Sequence, residues 1–394
     1  MVLKAYKFRL YPSEDQQQSL AQVFGSVRFV FNWGLSQKKT NWDIIESMRL
    51  WNLIIPTEAE IPTPLNHAEL SRKLTHELKD GHPWLREVAD KPLRYALRNL
   101  DEAYKNFFRR VKNGEAPGFP KFKSRKNGFD SFQVQGENVR LDDKTGLVSL
   151  PKIEKIPIRL HRRIDGTIKT TTVSKTKSGK YYISFQVEDG RELPLLIPIR
   201  SDKTVGIDVG LNSFVTTSSG EKIDGIKAFR ESEKRLAVMQ RRASRKVKGS
   251  ENWKKAQKKV AILHERIANQ RGDFQHKLSH RLVTEYDMVA VEDLNIKGMV
   301  KNHHLAKTVS DAAWSEFIRQ LEYKAAWGGK TFVKIGRWEP TSKTCSSCGY
   351  KNGEMPLSVR EWDCPECGAH HDRDINAAIN IKAAGMNLLH TNSI

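Results

Sequence analysis

Three acidic residues, Asp208, Glu292 and Asp374, lie in sequence contexts that are typical of metal-dependent chemistry on phosphodiesters. The first lies in a stretch that reads as a strand, a glycine turn and a second strand, TVGIDVGLNSFVTTSSG. The second ends the apolar run DMVAVEDL, and the third opens a predicted helix, DINAAINIKAAGM. Carboxylates offered from two strands and a helix can hold two Mg²⁺ ions about 4 Å apart, one activating water and the other stabilising the leaving oxygen.

Each carboxylate also has a simpler explanation when it is considered alone. An acidic residue at a strand end is commonly a solvated terminus or a helix cap. The combined settings favour a functional role, because Asp208 lies between Ile207 and Val209 in a run that is predicted to be buried. A buried carboxylate without a partner is costly. The three residues are therefore predicted to form one magnesium site of nuclease type.

A second metal centre is indicated by the cysteines, which form two C-x-x-C pairs separated by fifteen residues: Cys345, Cys348, Cys364 and Cys367. This spacing is typical of a tetrahedral zinc site. Disulfides are the competing interpretation, but they are rare in the reducing cytosol. Four thiolates leave no open position for water, so structural zinc is favoured over catalytic zinc and His370 and His371 are not expected to be ligands. Because the pairs lie between Glu292 and Asp374, the zinc-binding segment is predicted to be an insertion that helps to place the third carboxylate.

Composition points to a polyanionic partner. The chain has 394 residues, enough for two or three domains, and a net charge of +21. Solubility alone needs a net charge of only about 2 to 8 in a small domain, so nucleic acid is the favoured partner. No run of about 18 apolar residues is present, and the amino-terminal MVLKAYKFRLYP does not read as a signal peptide. A soluble, cytoplasmic protein that does not bind membranes is expected.

The amino-terminal part is predicted to contain a strand and helices. After the strand-like AYKFRLYP, Ser13 and Gln16 form a possible capping box for a helix that passes Leu35. Prolines at 62 and 64 interrupt the helical pattern. A further helix is indicated by apolar residues spaced three or four apart, namely Leu93, Leu97, Leu100, Tyr104, Phe107 and Val111. Its basic residues fit a phosphate track, although a basic face is usually just solvated: Lys91, Arg94, Arg98, Lys105, Arg109 and Arg110.

From about residue 116 the hydrophobic period changes to two. Short alternating runs separated by turn residues predict a small barrel or sandwich. They follow a loop in which aromatic and basic residues alternate, able to stack on bases while meeting phosphates: Phe119, Lys121, Phe122, Lys123, Arg125 and Lys126. The alternative is that the phenylalanines belong to the core. A linker at 194–202 and a cationic helical stretch at about 230–285, suited to holding a duplex, complete the pattern.

The motifs IDVGLNSF, VAVEDLNI and TSKTCSSCGY…WDCPECGAHHDRDINAAINI, with YKFRLYP, AYKNFF and GFPKFK, closely resemble those of the transposon-encoded TnpB family over nearly the whole chain. TnpB proteins are RNA-guided DNA endonucleases and are regarded as ancestors of the compact type V CRISPR effectors. The resemblance implies that Asp208, Glu292 and Asp374 are the nuclease triad. It also implies that the second Asp of HDRD, Asp374 and not Asp372, is the metal ligand.

The resemblance implies a multidomain fold that combines α/β and α+β parts. An RNase H-like, RuvC-type nuclease domain would carry an inserted zinc ribbon, and a small β-barrel wedge domain would be split by a helical recognition domain. The implied bounds are wedge strand 1–12, recognition domain 13–115, wedge barrel 116–193, first nuclease part 194–340, zinc ribbon 341–370 and last nuclease helix 371–394. The chain stops soon after that helix, so any role of the longer tail found in some relatives is expected to be absent or reduced.

The implied partners are a guide RNA from the transposon end and double-stranded DNA that carries a short adjacent motif. Base pairing would read the sequence while the protein reads heteroduplex shape, and a single site with two Mg²⁺ ions would cut both strands. The segment VKNHHLAKTVSDAAWSEF after Glu292 is expected to be a lid, with Asp311 as a helix cap and with Trp314 and Phe317 explained equally well by core packing. Nucleic-acid contacts are expected at Lys91, Tyr95, Arg98, Lys121, Lys123 and Arg125, in a protein that acts as a monomer in a prokaryotic nucleoid.

Other classes stay open at this point. A compact CRISPR effector would be distinguished by a repeat array near the gene. An RNA-guided repressor without cleavage should have lost a triad carboxylate, and none is missing. An RNA-independent transposase or resolvase would cut transposon ends without RNA, and a non-catalytic zinc-ribbon DNA-binding protein would leave the carboxylate settings unexplained.

Overall fold

The computed structural model divides into two compact units, Met1–Arg191 and Glu192–Ile394. The described residues are 2–54, 61–125, 130–226, 228–299, 301, 303–353, 355–356 and 358–391. Lys126 of the predicted basic loop lies outside them. Within the described part of the chain, every helix lacks an apolar stretch long enough to cross a lipid bilayer.

The first unit opens with one strand followed by a helical block: β1 (Leu3–Leu10), α1 (Glu14–Ile54), α2 (His67–Lys73), α3 (Lys79–Gly81) and α4 (Asp90–Lys112). The predicted capping box of α1 is confirmed. The Ser13 amide donates to Gln16 Oε1 at 2.9 Å, and the Gln16 amide donates to Ser13 Oγ at 3.3 Å. These bonds satisfy amide donors that the first turn of a helix leaves without partners.

Helix α4 packs against α1 through the first half of its predicted apolar stripe. Leu93, Leu97 and Leu100 are fully buried in the same cluster as Phe31 of α1. The predicted helix is confirmed through Val111, although the Val111 side chain itself is 50% exposed. The buried residues of α4 end at Leu100, so the apolar spacing of the sequence continues into a part of the helix where side chains are only partly buried or exposed.

The predicted alternating runs form strands of one antiparallel sheet: β2 (Asp130–Gln135), β3 (Arg140–Asp142), β4 (Leu147–Leu150), β5 (Ile153–Arg159), β6 (Thr167–Lys175) and β7 (Tyr181–Glu188). The strand order is β2-β6-β7-β1-β5-β4-β3. Strand β1 pairs with both β5 and β7, although the helical block separates it from them in sequence. The amino-terminal strand therefore completes the sheet of the later strands.

The second unit is mixed α/β. Its strands are β8 (Thr204–Asp208), β9 (Val215–Thr217), β10 (Lys222–Ile223), β11 (Met288–Glu292), β12 (Thr331–Ile335), β13 (Glu361–Asp363) and β14 (His370–Asp372). Its helices are α5 (Ala228–Ser244), α6 (Glu251–Glu285), α7 (Ile296–Met299), α8 (His303–Ala312), α9 (Trp314–Trp327) and α10 (Arg373–Thr391). The strand, turn and strand predicted around Asp208 and the helix predicted after Asp374 are both present.

The central sheet of the second unit has the order β10-β9-β8-β11-β12. Strands β8 to β10 are antiparallel neighbours, whereas β8, β11 and β12 run parallel. Ile207 pairs with Val291, so the next residues, Asp208 and Glu292, end adjacent parallel strands. Parallel register thus brings together two carboxylates that are far apart in sequence.

The two faces of this sheet pack against different helices. Val205, Ile207 and Val289 share a core with residues of α6 and α9. Met288 and Ala290 pack with residues of α10 on the other face. Because side chains alternate along a strand, the carboxylates at 208 and 292 lie on the α10 face.

Helix α10 approaches β8 with no side chain between the two backbones. A Cβ atom added to Gly206 would lie 2.1 Å from the carbonyl oxygen of Ala378 and 2.5 Å from the amide nitrogen of Lys382. Only glycine fits at such a separation. This contact sets how close the first turn of α10 lies to the strand that carries Asp208.

The cationic helices are confirmed, and the linker predicted at 194–202 is irregular up to residue 200, where the short 3-10 helix Ser201–Lys203 begins. Residues 191–200 form no regular element. Arg200 and Lys330 pair with buried Asp287 at 2.8 and 2.7 Å and fasten the end of the linker beside β11. Helices α5 and α6 pack through a small apolar cluster that includes Leu236 and Leu263.

The predicted cap at Asp311 is wrong. Asp311 lies near the end of α8, and α9 begins after Ala313, whose backbone is left-handed with φ of 50° and which makes no side-chain cap. The Gln275 side chain donates to the carbonyls of Ala312 and Ala313 and thereby holds this bend. Trp314 and Phe317 are buried, so core packing explains them, while the lid stays a prediction.

Gly206→Ala should destabilise the second unit. The added methyl group would overlap the α10 backbone, and overpacking of a well-filled core costs about 1–3 kcal/mol. Gly272→Ala is the matched control, because Gly272 has open space around it and alanine favours a helix interior by up to about 1 kcal/mol. Thermal and urea unfolding measure the stability of both variants relative to wild type. Equal stability of Gly206→Ala and wild type would contradict the close contact.

Candidate active site and metal centre

The three predicted carboxylates line one pocket. Asp208 and Glu292 stand at the ends of β8 and β11, and Asp374 lies in the first turn of α10, which covers the same sheet face. The pocket has a volume of about 510 Å³ and opens to solvent. Tertiary packing therefore gathers residues that span 167 positions of sequence.

Negative charge accumulates in this pocket. Burial raises the pKa of Asp208 to about 7, and the charges of Asp374 and Glu292 act in the same direction. The guanidinium groups of Arg373 and Arg360 partly oppose that rise. Burial also raises the pKa of Glu292, with a further contribution from Asp293. Such a cluster is unfavourable without a compensating cation.

The donor set of the pocket fits magnesium. Carboxylate oxygens are the hard ligands that Mg²⁺ prefers, and Mg²⁺ usually keeps several waters and takes only one or two carboxylates. Among the described residues, only the four cysteines form a group whose ligand atoms all lie within 4.8 Å of one another. The three carboxylates together do not form such a group in the described structure.

The two acids of the HDRD motif have different surroundings. Asp372 Oδ1 accepts the amides of Asp374 at 3.1 Å and Ile375 at 3.0 Å, and its other oxygen pairs with Lys222. This is the arrangement of a helix cap. Asp374 faces the pocket, where Arg360 lies 3.4 Å from its Oδ1 atom. The geometry supports the choice of Asp374 as a ligand.

Sequence reasoning missed the four basic residues that line the pocket, Arg337, Lys343, Arg360 and Arg373. Arg373 is buried and donates to the carbonyls of Pro356 at 2.7 Å and Val359 at 3.3 Å. Arg360 contacts Asp374 from the segment before β13. The position of Arg373 directly before Asp374 could have indicated its place, whereas nothing in the local sequence marks Arg360.

The four cysteines converge as predicted. The sulfur atoms of Cys345 and Cys367 are 3.7 Å apart, and those of Cys348 and Cys364 are 3.6 Å apart. Tetrahedral zinc with Zn–S distances of about 2.3 Å requires sulfur separations of about 3.8 Å. All four are free thiols, so the disulfide alternative is not supported.

The two histidines lie outside the group of four sulfurs. His371 is buried, and its Nε2 atom lies 3.0 Å from Cys345 Sγ, where an N–H group can donate to a thiolate. His370 contacts Asp363 through Nδ1 at 2.7 Å. A hydrogen bond from a histidine to a ligating sulfur orients the ligand without occupying a metal position.

The cysteine ribbon, residues 341–370, is pinned to α10. The side-chain amide of Asn376 donates to the carbonyl of Thr344 at 2.7 Å, and the amide of Asn380 donates to the carbonyl of Thr341 at 2.8 Å. The Ser346 amide donates in turn to Asn376 Oδ1 at 2.9 Å. The first cysteine pair and Asp374 are therefore held by one helix.

The nucleic-acid candidates of α4 share one exposed face. Lys91 and Arg98 are exposed and Tyr95 is half-buried between them, with the Arg98 guanidinium 5.7 Å from the Tyr95 ring centroid. Spacings of three and four residues place them in a row. A cation beside a partly exposed ring suits contact with nucleic acid. Contact of these three residues with nucleic acid stays a prediction.

The basic loop after α4 is exposed, but the ammonium group of one of its lysines packs on an aromatic ring. Lys121, Lys123 and Arg125 lie in an irregular exposed segment. The Lys123 ammonium lies 4.0 Å from the Phe31 ring centroid, and desolvation lowers the pKa of this lysine. Phe119 packs edge-on against Tyr104 while staying 42% exposed, so it belongs neither wholly to the core nor wholly to the surface.

Three family profiles match the chain. A profile described as "Probable transposase", of the OrfB proteins of IS605, matches residues 184–303. A Cas12f1-like TNB domain profile matches residues 314–381, and a helix-turn-helix profile of the same OrfB family matches residues 1–43. Together the matches extend over both units.

Full-length relatives decide the family. A protein of Streptomyces pristinaespiralis named "Putative RNA-guided DNA endonuclease" is 41% identical over 390 residues, which cover 98% of this chain and 90% of that protein. A protein of Escherichia coli K12 with the same description is 33% identical, covering 97% of this chain and 92% of that protein. The chain belongs to the TnpB family.

A solved structure has a similar fold. The TnpB chain matches the protein of a cryo-EM Cas12f1-sgRNA-target DNA complex with a TM-score of 0.50 and 15% identity, covering 97% of this chain and 98% of that chain. At this identity the similarity shows the fold alone. The mixed α/β organisation of this TnpB protein is thus shared with a Cas12 effector.

Cys364→Ser should lower the zinc content below one ion per chain and reduce soluble yield, because thiolate ligation contributes directly to folding. Metal analysis of protein purified without chelators measures the content. Ser347→Ala in the same knuckle is the control, since its exposed side chain is not a ligand in the group of four sulfurs. Full zinc occupancy and unchanged melting of Cys364→Ser would show that the cysteines do not share one ion.

Proposed function

We propose that this TnpB protein is a magnesium-dependent, RNA-guided DNA endonuclease of a transposon. The observation that carries the proposal is the convergence of Asp208, Glu292 and Asp374 in one pocket of a strongly basic chain. Two full-length relatives bear the corresponding description. The proposed substrate is the phosphodiester backbone of both target strands, delivered in turn to this single pocket.

In this mechanism Asp208, Glu292 and Asp374 would hold two magnesium ions through their carboxylate oxygens. Bound Mg²⁺ supplies activation of water and stabilisation of the leaving oxygen. Arg360 and Arg373 keep positive charge beside Asp208, which favours its ionised form. Asp372 caps α10 and so orients the turn that presents Asp374. The buried sheet beneath the pocket keeps the strand-borne carboxylates fixed while DNA enters from the open side.

The proposed nuclease domain is RNase H-like, of the RuvC type. The order of three antiparallel strands followed by two parallel strands, with helices on both faces, supports this assignment. We assign zinc to the cysteine ribbon as a structural ion. The wedge assignment for 1–12 and 116–193, and the recognition assignment for 13–115, are proposed from the pairing of β1 with later strands across the helical block.

The proposed cofactor that gives specificity is a guide RNA from the transposon end. Pairing of that RNA with the target would read sequence, while exposed basic surfaces hold backbones. Such surfaces include the Lys91, Tyr95 and Arg98 row and the cationic pair α5 and α6. A short adjacent motif would be read in the duplex before unwinding.

A compact CRISPR effector is the second candidate, favoured by the similarity to the Cas12f1 fold. The same site chemistry would serve a transposon endonuclease and a CRISPR effector. The origin of the guide RNA distinguishes these two candidates. An RNA-guided repressor is less well supported because all three carboxylates are present in one pocket. Sequencing the RNA that copurifies with protein expressed beside its downstream DNA distinguishes transposon-end RNA from repeat-derived RNA.

Asp208→Asn, Glu292→Gln and Asp374→Asn should each reduce DNA cleavage in Mg²⁺ at least about 100-fold, because each removes a charged metal ligand without changing shape. Guided DNA binding should change little, since these residues hold metal and not the DNA backbone. Plasmid cleavage and gel-shift assays with the guide complex measure the two properties.

Asp224→Asn is the matched control, because Asp224 is exposed and does not line the carboxylate pocket. It should cleave at the wild-type rate. Wild-type cutting by any one of the three carboxylate variants would remove that residue from the site.

Exchange of the guide segment should redirect cleavage to any matching DNA that carries the same adjacent motif. Plasmid cleavage with two unrelated guides and their crossed targets tests this expectation. Lys91→Ala should weaken binding with either guide to the same degree, because a motif or phosphate contact does not depend on the guide. Cutting that ignores the guide and follows one fixed DNA sequence would favour a transposase or resolvase instead.

A further inference from the structure

An isolated tryptophan stands at the rim of the carboxylate pocket. Trp338 is 90% exposed, more than any other aromatic residue in the described part of the chain. It lines the same pocket as Asp208, Glu292 and Asp374. Tryptophan usually buries a large apolar surface, so one left almost fully in solvent points to a partner that covers it.

The loop that carries Trp338 is fastened on both sides. Before it, Arg337 donates to the Asp293 carbonyl at 3.1 Å and to the Asp293 carboxylate at 2.8 Å. After it, the Thr341 amide donates to the Glu339 carbonyl at 2.8 Å, and the Thr341 carbonyl accepts from Asn380 of α10. The backbone is thus held while the ring remains open to solvent, as a preformed contact surface requires.

The charges around the pocket identify the kind of partner. Lys343 and Arg360 line it together with Trp338 and the acidic residues, whereas Arg373 is buried with its guanidinium on backbone carbonyls. Cations beside an exposed ring suit single-stranded nucleic acid, whose bases stack on aromatic faces while its phosphates meet positive charge. A base inside a duplex is already stacked on both sides, so the ring selects an unpaired nucleotide.

We propose that Trp338 stacks on one unpaired base of the DNA strand being cut and thereby positions a neighbouring phosphodiester over the carboxylates. This inference rests on the proposed nuclease function and names how its substrate strand is held. The contact is tolerant of sequence because every base has a π-face. Trp338 positions the substrate and takes no part in bond breaking.

The experiment combines protein variants with abasic DNA. Target strands that carry a single abasic position at successive sites around the cut are cleaved by the guide complex of wild type, Trp338→Ala and Trp338→Phe. Wild type should slow at one or two positions, where the stacked base is missing. Trp338→Ala should cut intact DNA about 10-fold more slowly and lose the dependence on those positions, because one stacking contact is removed in each case. Trp338→Phe should keep most of the cleavage rate on intact DNA and most of the dependence on the abasic positions.

Trp51→Ala is the matched control, since Trp51 is an exposed tryptophan of the other unit. It should keep the wild-type abasic profile. An exposed residue contributes little to folding, so Trp338→Ala should melt at the wild-type temperature. Identical abasic profiles for Trp338→Ala and wild type would overturn the proposal, as would a loss of guide-RNA binding that explains the slower cleavage.

A binding measurement separates this inference from the nuclease assignment. In complexes that also carry Asp208→Asn, 2-aminopurine placed at the sensitive position should be quenched by stacking, and Trp338→Ala should abolish that quenching. When wild type does not cut, the same reporter is scanned along the strand. Quenching that depends on Trp338 without any cleavage would contradict the nuclease function but support the stacking contact. Quenching that persists in Trp338→Ala at every position would refute the stacking contact itself.

Discussion

The backbone of α10 lies directly against β8 at Gly206, and the geometry of the candidate active site depends on this contact. The first turn of α10 carries Asp374, four residues before the carbonyl that meets Gly206. Any side chain at 206 would move the helix outward and separate Asp374 from the strand-borne carboxylates. The amides of Asn376 and Asn380 hold the cysteine ribbon to the same helix. One backbone contact therefore links the sheet, the cysteine ribbon and the third carboxylate.

Gathering three carboxylates in one pocket is electrostatically unfavourable, and the neighbouring arginines compensate for it only in part. Burial and neighbouring charges raise the pKa of Asp208 to about 7, although two arginines act against the rise. A site that is unfavourable without cations gains affinity for them, because binding relieves the repulsion. The apolar layers on both faces of the sheet provide the stability that allows carboxylates to gather at its edge. The candidate site and the stabilising apolar layers thus lie in different parts of the same sheet.

Charge is distributed differently in the first unit. Its sheet and helices share one apolar core, while exposed cations and partly exposed rings lie on α4 and on the loop that follows it. Lys123 shows why composition alone does not identify nucleic-acid contacts, since its ammonium packs on Phe31. Lys91 and Arg98 are exposed and flank Tyr95, which makes them better candidates for contact with a backbone or a base.

The sequence by itself determined those features whose signal is local. The capping box at Ser13, the alternating strands, the helices at 228–285 and the spacing of the four cysteines all follow from neighbouring residues, and the structure contains each of them. The family was also evident from motifs, and full-length relatives confirm it. The roles of the triad, the domain assignments and the nucleic-acid contacts stay predictions.

Tertiary structure alone decided which distant residues meet. Parallel register between β8 and β11 brings Asp208 beside Glu292, and side-chain alternation turns both toward α10. Nothing local marks Arg360 or Trp338 as part of the pocket, because their neighbours there come from other elements. The predicted cap at Asp311 was wrong for the same reason, because Gln275 of α6 holds the bend before α9. Caps and periodicity are properties of a segment, whereas a pocket and its charges are set by segments that only folding brings together.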